Sequence, residues 1–169
     1  MSIPQQKFRE LVFQLLYSYD ISKPEEDEMI GLMMKELSVT RKTVRSGLEK
    51  MQLIQEKLDD IDETIRRTTV SYSFDRIQTV ERNILRLGIY EMLYDDTIPP
   101  KVAISESVRL ARKFGTPESA SFVNAIMDAI YKTTLGEVTD EEMIKKQAEQ
   151  LDLRDENISE WLKNQPPQE

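Results

Sequence analysis

Residues 98–124 read IPPKVAISESVRLARKFGTPESASFVN, and this stretch decides the fold. Pro99-Pro100 breaks the chain, because proline cannot continue a helix and restrains the residue before it. Val102, Ile104, Val108, Leu110, Ala111 and Phe114 then supply the apolar side of a new helix. Gly115 reads as its stop, in the left-handed C-terminal conformation that glycine adopts cheaply. Thr116-Pro117-Glu118 restarts the chain at once, with a capping hydroxyl, a proline in the first helical position and an acid at the positive helix end. Phe122, Val123, Ile126, Met127 and Ile130 follow at helical spacing, and Gly136 closes that helix.

Upstream the period is also helical. Val80, Ile84, Leu85, Leu87, Gly88, Ile89, Met92 and Leu93 make a helix apolar over more than half its circumference, which predicts the most buried helix. Phe8, Leu11, Val12, Leu15, Leu16 and Tyr19 draw one stripe near the N-terminus, with Pro4 where the helix begins. Ser22 with Glu25 reads as a capping box before a helix carrying Met29, Leu32, Met33 and Leu37. One long helix is predicted from about Thr40 to Arg66, on the register of Val44, Leu48, Met51, Ile54, Leu58, Ile61 and Ile65. Residues 68–74 are β-branched and aromatic, but no partner strand is visible, so they read as a connector or a short helical turn. Asp75 with Gln78 looks like another cap. Thr139-Asp140-Glu141-Glu142 opens an acidic amphipathic helix, and Ile158, Trp161 and Leu162 fall in a last segment before the frayed end at Gln165–Glu169. The expectation is an all-α, compact bundle of about six or seven helices with an extra C-terminal acidic arm. The boundary is placed between a body at 1–136 and an extension at 137–169.

Composition narrows the chemistry. The 169 residues contain neither Cys nor His, which excludes disulfides, Cys nucleophiles, Ser-His-Asp triads and zinc sites built on those ligands. The lack of Cys and of a basic start followed by an apolar run makes the cytoplasm the expected compartment. No apolar stretch approaches the roughly 20 residues of a membrane helix, so no membrane partner is expected. Net charge is −8, and residues 137–169 hold ten acidic and four basic side chains, leaving the body near neutral. That total repels nucleic acid at long range but permits a local basic face.

An enzyme is not expected. Asp59-Asp60, Asp95-Asp96 and Glu141-Glu142 are adjacent pairs, and neighbours on a helix point in different directions. Asp95-Asp96 is read as a solvated turn, with a magnesium pair as the alternative. The five dispersed glycines form no phosphate-binding loop, and no cofactor is expected. Three basic groups are candidates for phosphate contact: Lys7 and Arg9; Arg41, Lys42 and Arg45; and Lys101, Arg109, Arg112 and Lys113. Each also reads as a solvated helix face balanced by nearby acids. Phe122 and Tyr17 are read either as core aromatics or as platforms for an unpaired base.

Several stretches resemble the NusB family of transcription antitermination factors. RELVFQLLYS at 9–18 is similar to its opening helix and VERNILRLGIYE at 80–91 to its central helix. The most specific block is IPPKVAISE at 98–106, followed by KFG at 113–115, Ser119 and FVN at 122–124. The likeness covers roughly residues 7–135 and omits the acidic arm. It implies two small helical bundles and no catalysis. It also implies binding of boxA-type single-stranded RNA with NusE, a small-subunit ribosomal protein, in an antitermination complex on RNA polymerase. By position, it assigns Tyr17, Asp75 and Glu81 to NusE, Glu118 and Phe122 to RNA, and Lys7 and Arg9 to what remains of a basic arm; Lys101 joins the RNA set.

One departure stands out. Where the family commonly carries an arginine-rich arm, this chain has Gln5-Gln6-Lys7-Phe8-Arg9. Each lost phosphate contact removes counterion-release free energy, so weak RNA binding alone, strengthened by the protein partner, is expected. Glu118 reads either as an acceptor for base amino groups or as a helix-end acid. If Phe122 stacks on RNA, Phe122→Ala should weaken RNA binding and leave stability nearly unchanged. A protein-binding scaffold with little RNA affinity is the alternative. The noncatalytic domain of an rRNA cytosine methyltransferase is a third reading, disfavoured because the chain leaves no room for a methyltransferase domain.

Overall fold

The computed structural model describes residues 3–70, 72–137 and 141–164. Among them are eight α-helices, one 3-10 turn and no strand: α1 (Gln5–Ser22), α2 (Glu26–Leu37), α3 (Arg41–Glu56), α4 (Leu58–Thr68), the turn Phe74–Arg76, α5 (Thr79–Tyr94), α6 (Pro100–Phe114), α7 (Pro117–Thr134) and α8 (Glu141–Lys163). The fold is all-α, as the periodicity predicts. The heavily apolar α5 is the hub: it packs against α1, α3, α4, α6 and α7. On one side α2 and α3 gather with α1; on the other α6 and α7 pack on α5 and on each other, and α8 lies on α7. Phe122, Leu11, Leu15, Ile84 and Leu85 are among the largest side chains fully withdrawn from solvent.

The stretch at 98–124 forms as its residues dictate. Pro99 and Pro100 start α6, and Thr116 opens α7 with Pro117 in the first turn. Thr116 Oγ1 accepts from the Ser119 backbone N–H at 3.2 Å, and Ser119 Oγ accepts from the Thr116 backbone N–H at 3.1 Å. Two otherwise orphaned amides are thereby satisfied. Gly115 does end α6, but with φ −118° rather than in the left-handed region. Its need for glycine is spatial: a Cβ there would lie 2.7 Å from Ser119 Oγ and 2.9 Å from the Ala111 carbonyl.

Other expectations are corrected. The predicted helix over 40–66 is two helices, broken at Lys57. A straight helix of that length would run about 40 Å. The break instead lets α3 pack on α1 and α2 while α4 turns to meet α5 and α7. Ser22 caps nothing ahead of it, because α1 runs through it and its Oγ donates back to the Ser18 carbonyl. The α2 N-cap is Glu25, and that of α5 is Gln78, neither with a side-chain capping bond. Asp75 lies exposed in the 3-10 turn. Thr139, Asp140 and Gln165–Glu169, named above, fall outside the described residues.

Candidate nucleic-acid and partner interface

The N-terminus of α7 meets two other elements, the start of α5 and the middle of α8. Ser119, fully buried, donates its hydroxyl to Glu81 Oε1 at 2.6 Å. Arg154 of α8 reaches the same spot, donating to Thr116 Oγ1 at 2.6 Å and Ser119 Oγ at 3.0 Å, with Glu81 Oε1 at 3.6 Å. Glu81 is therefore only 3% exposed. Around it, Tyr72 donates to Asp152 Oδ1 at 2.8 Å, Arg76 pairs with the same carboxylate, and Gln78 donates to Asp155 at 2.7 Å. Burial and the adjacent Asp152 push the Tyr72 phenol above its usual range. A narrow cleft between α8 and the body is lined by Tyr72, Glu81, Phe122, Leu151 and Asp155.

Phe122 is 1% exposed, with its ring edge-on to Tyr72 at 6.1 Å between centroids. This corrects the expectation of an open stacking platform: the ring is a core side chain here and offers no free face. Glu118 sits on the first turn of α7, where hydrogen bonds from its own backbone N–H and the Thr116 hydroxyl hold its carboxyl below the ordinary range. That is the behaviour of a helix-end acid.

Arg9 is likewise not an exposed phosphate ligand. Its Nε donates to both Glu91 oxygens, at 3.2 and 2.9 Å, and its guanidinium lies 3.8 Å from Glu106. Arginine is 8% and Glu91 3% exposed, so this pair ties α1 to α5 inside the body. Burial raises the Glu91 carboxyl above its usual value against the opposing pull of Arg9. Arg109 and Lys113 also have partners, both on Glu10, at 2.8 and 3.0 Å. Lys7 is half-buried and Lys101 exposed, and among the described residues neither makes an ion pair.

Of the three residues expected to meet a protein, Asp75 is exposed, Tyr17 half-buried and Glu81 covered. Next to Tyr17 and Glu81 in the chain, a polar network ties α1 to α5. Asp20, one turn beyond Tyr17, accepts from Arg82 at 2.8 Å and Asn83 at 3.0 Å, immediately after Glu81. Burial alone would raise the Asp20 carboxyl, but these hydrogen bonds bring it below its ordinary value. Arg86 completes the network with Asp62 of α4 at 2.8 Å. The sequence reading missed this network. Its signal was present: Arg82 and Arg86, four apart on the helix predicted to be most buried, need acidic partners.

No helix among the described residues is long and apolar enough to cross a membrane, and no cluster of metal-ligating side chains occurs among them. Residues 6–132 match the NusB family. The chain belongs to the NusB family. A curated relative, the transcription antitermination protein NusB of Chlamydia pneumoniae, is 36% identical over 128 residues, 76% of this chain and 80% of the relative. Among solved structures, T. maritima NusB superposes with TM-score 0.66 at 30% identity, covering 86% of this chain and 99% of its own. The crystal structure of antitermination factors NusB and NusE in complex with dsRNA matches with TM-score 0.65 at 25% identity, covering 76% of this chain and 96% of its own. The NusB match stops short of α8, so the helix that covers Glu81 lies outside the family region.

Proposed function

We propose that this chain is a transcription antitermination factor that binds boxA-type single-stranded RNA of rRNA-type leader transcripts together with NusE and acts within an antitermination complex on RNA polymerase. The observation that carries the reading is the NusB family match over residues 6–132. It is supported by the solved assembly of a related NusB with NusE and RNA. Residues 1–136 form the RNA- and protein-binding unit and 137–169 its extension. Tyr17, Asp75 and Glu81 face NusE. Lys7 and Lys101 contact phosphates, Glu118 accepts from a base amino group or serves its helix end alone, and Phe122 joins the RNA set only if it is uncovered. Arg9 acts by holding α1 in place.

RNA affinity in isolation is low. Arg9, Arg109 and Lys113 spend their charge on Glu91 and Glu10 within the body, which favours a protein-led assembly. Fluorescence titration of a labelled boxA RNA at two salt concentrations, with and without NusE, tests this. Weak, shallowly salt-dependent binding alone and tighter binding with NusE are expected. Tight, steeply salt-dependent binding by the isolated chain would contradict the low-affinity reading. Indifference to both ligands offered together would end the antitermination reading.

A further inference from the structure

We infer that α8 is a displaceable strap that occupies the partner face of this protein, so that α8 docking and NusE binding at Glu81 exclude each other. The inference rests on the reading that Glu81 serves the protein partner.

The strap covers residues from both expected interfaces. Arg154 sits against Glu81 and both capping hydroxyls of α7, while Leu151 and Asp155 line the cleft that contains Phe122. Nothing else in the described chain brings a cation to Glu81. A partner that uses this carboxylate must first remove Arg154 from it.

The hold is also of the kind that lets go. α8 buries only Ile144, Ala148 and Leu151, whereas α7 buries nine of its side chains. The rest of the attachment is polar: Asp152 to Tyr72 and Arg76, Asp155 to Gln78, and Arg154 to the cap. Arg76 and Gln78 are exposed, so their two contacts with α8 compete with water and weaken with salt. A helix held by a thin apolar stripe and a few polar contacts, two of them wet, opens without unfolding the body. Ile158 and Leu162 continue the stripe of Ile144 and Leu151 but stay 49% and 61% exposed. The docked position therefore leaves part of the apolar side of α8 uncovered.

Two measurements on the full chain test this. First, NusE affinity is compared between the parent and the variants Arg154→Ala and Asp152→Ala. Each variant removes the polar attachments of one side chain and weakens the strap, and NusE affinity should rise about fivefold. Unchanged or lower affinity in both variants, with the parent binding NusE, overturns the strap and leaves the functional reading standing. No binding by parent or variants overturns both. Second, backbone amide exchange is followed in the unaltered chain, which avoids any folding defect of the variants. On adding NusE, amides of 141–163 should exchange faster while those of α7 are protected. Retained protection across 141–163 in the complex overturns the inference. Release by boxA RNA without NusE would also overturn it, because the competing occupant would then be nucleic acid.

Discussion

Phe122 shows how one side chain supports two readings until its surroundings are known. Its spacing from Val123 and Ile126 suits a core stripe, and its polar neighbours Ser121 and Asn124 suit an exposed platform. What decides is contact from the Tyr72 turn and α8, elements distant in sequence whose approach no local pattern announces. The earlier expectation for its alanine variant is accordingly reversed. Phe122→Ala should cost about 3–5 kcal/mol of unfolding free energy through transfer and cavity terms, read from urea denaturation. A loss within about 0.5 kcal/mol would return the ring to the surface. Arg9 carries a similar lesson: a basic residue near a chain start reads as a free cation until Glu91, far along the sequence, is found beneath it.

At the scale of elements, most of the fold was legible because its signals are local. The double proline, the Thr116 cap and the apolar periods of α1, α5 and α7 each act within a few residues and need no tertiary information. The break at Lys57 was not legible, since it contains neither proline nor glycine and answers to what α3 and α4 must each reach. Gly88 illustrates close packing between elements. A Cβ there would stand 2.1 Å from Ser107 Oγ on α6 and 2.9 Å from Met127 Cε on α7. The Ser107 hydroxyl is held by the Ala103 carbonyl at 2.8 Å, so yielding costs it that bond. Alanine gains up to about 1 kcal/mol in helix propensity, but forced overpacking costs about 1–3 kcal/mol. Gly88→Ala should therefore lower the denaturation midpoint. Gly31→Ala, on exposed α2 with no atom within 4 Å, should raise it. Equal shifts in the two variants would mean that propensity alone governs both sites.

Across the whole molecule, charge sets the response to acid. The chain has no histidine, the side chain whose ordinary pKa lies between about pH 5 and 8, so its carboxylates dominate the response to acid. Asp95 accepts from Lys50 Nζ at 2.8 Å and from the Thr97 hydroxyl at 2.6 Å. The Lys50 bond foremost, then Thr97, lowers its carboxyl from 3.8 to about 2. A folded-state value below the unfolded one favours the native chain above about pH 4, and this advantage is lost as pH falls toward 2. Glu10, Asp20 and Glu106 are shifted the same way, whereas buried Glu91 is raised and opposes them. The urea midpoint should thus drop between pH 4 and 2, with a smaller drop in Asp95→Asn. A midpoint that holds constant to pH 2 would contradict this account.

The acidic helix α8 also bears the chain's single tryptophan, Trp161, which is 61% exposed near the far end. Because no second indole contributes, emission excited at the red edge of the indole band, where the six tyrosines do not absorb, comes from that one ring. Its anisotropy and its accessibility to a neutral collisional quencher therefore follow the motion of this helix without any dye, in the same cuvette in which ligand is added.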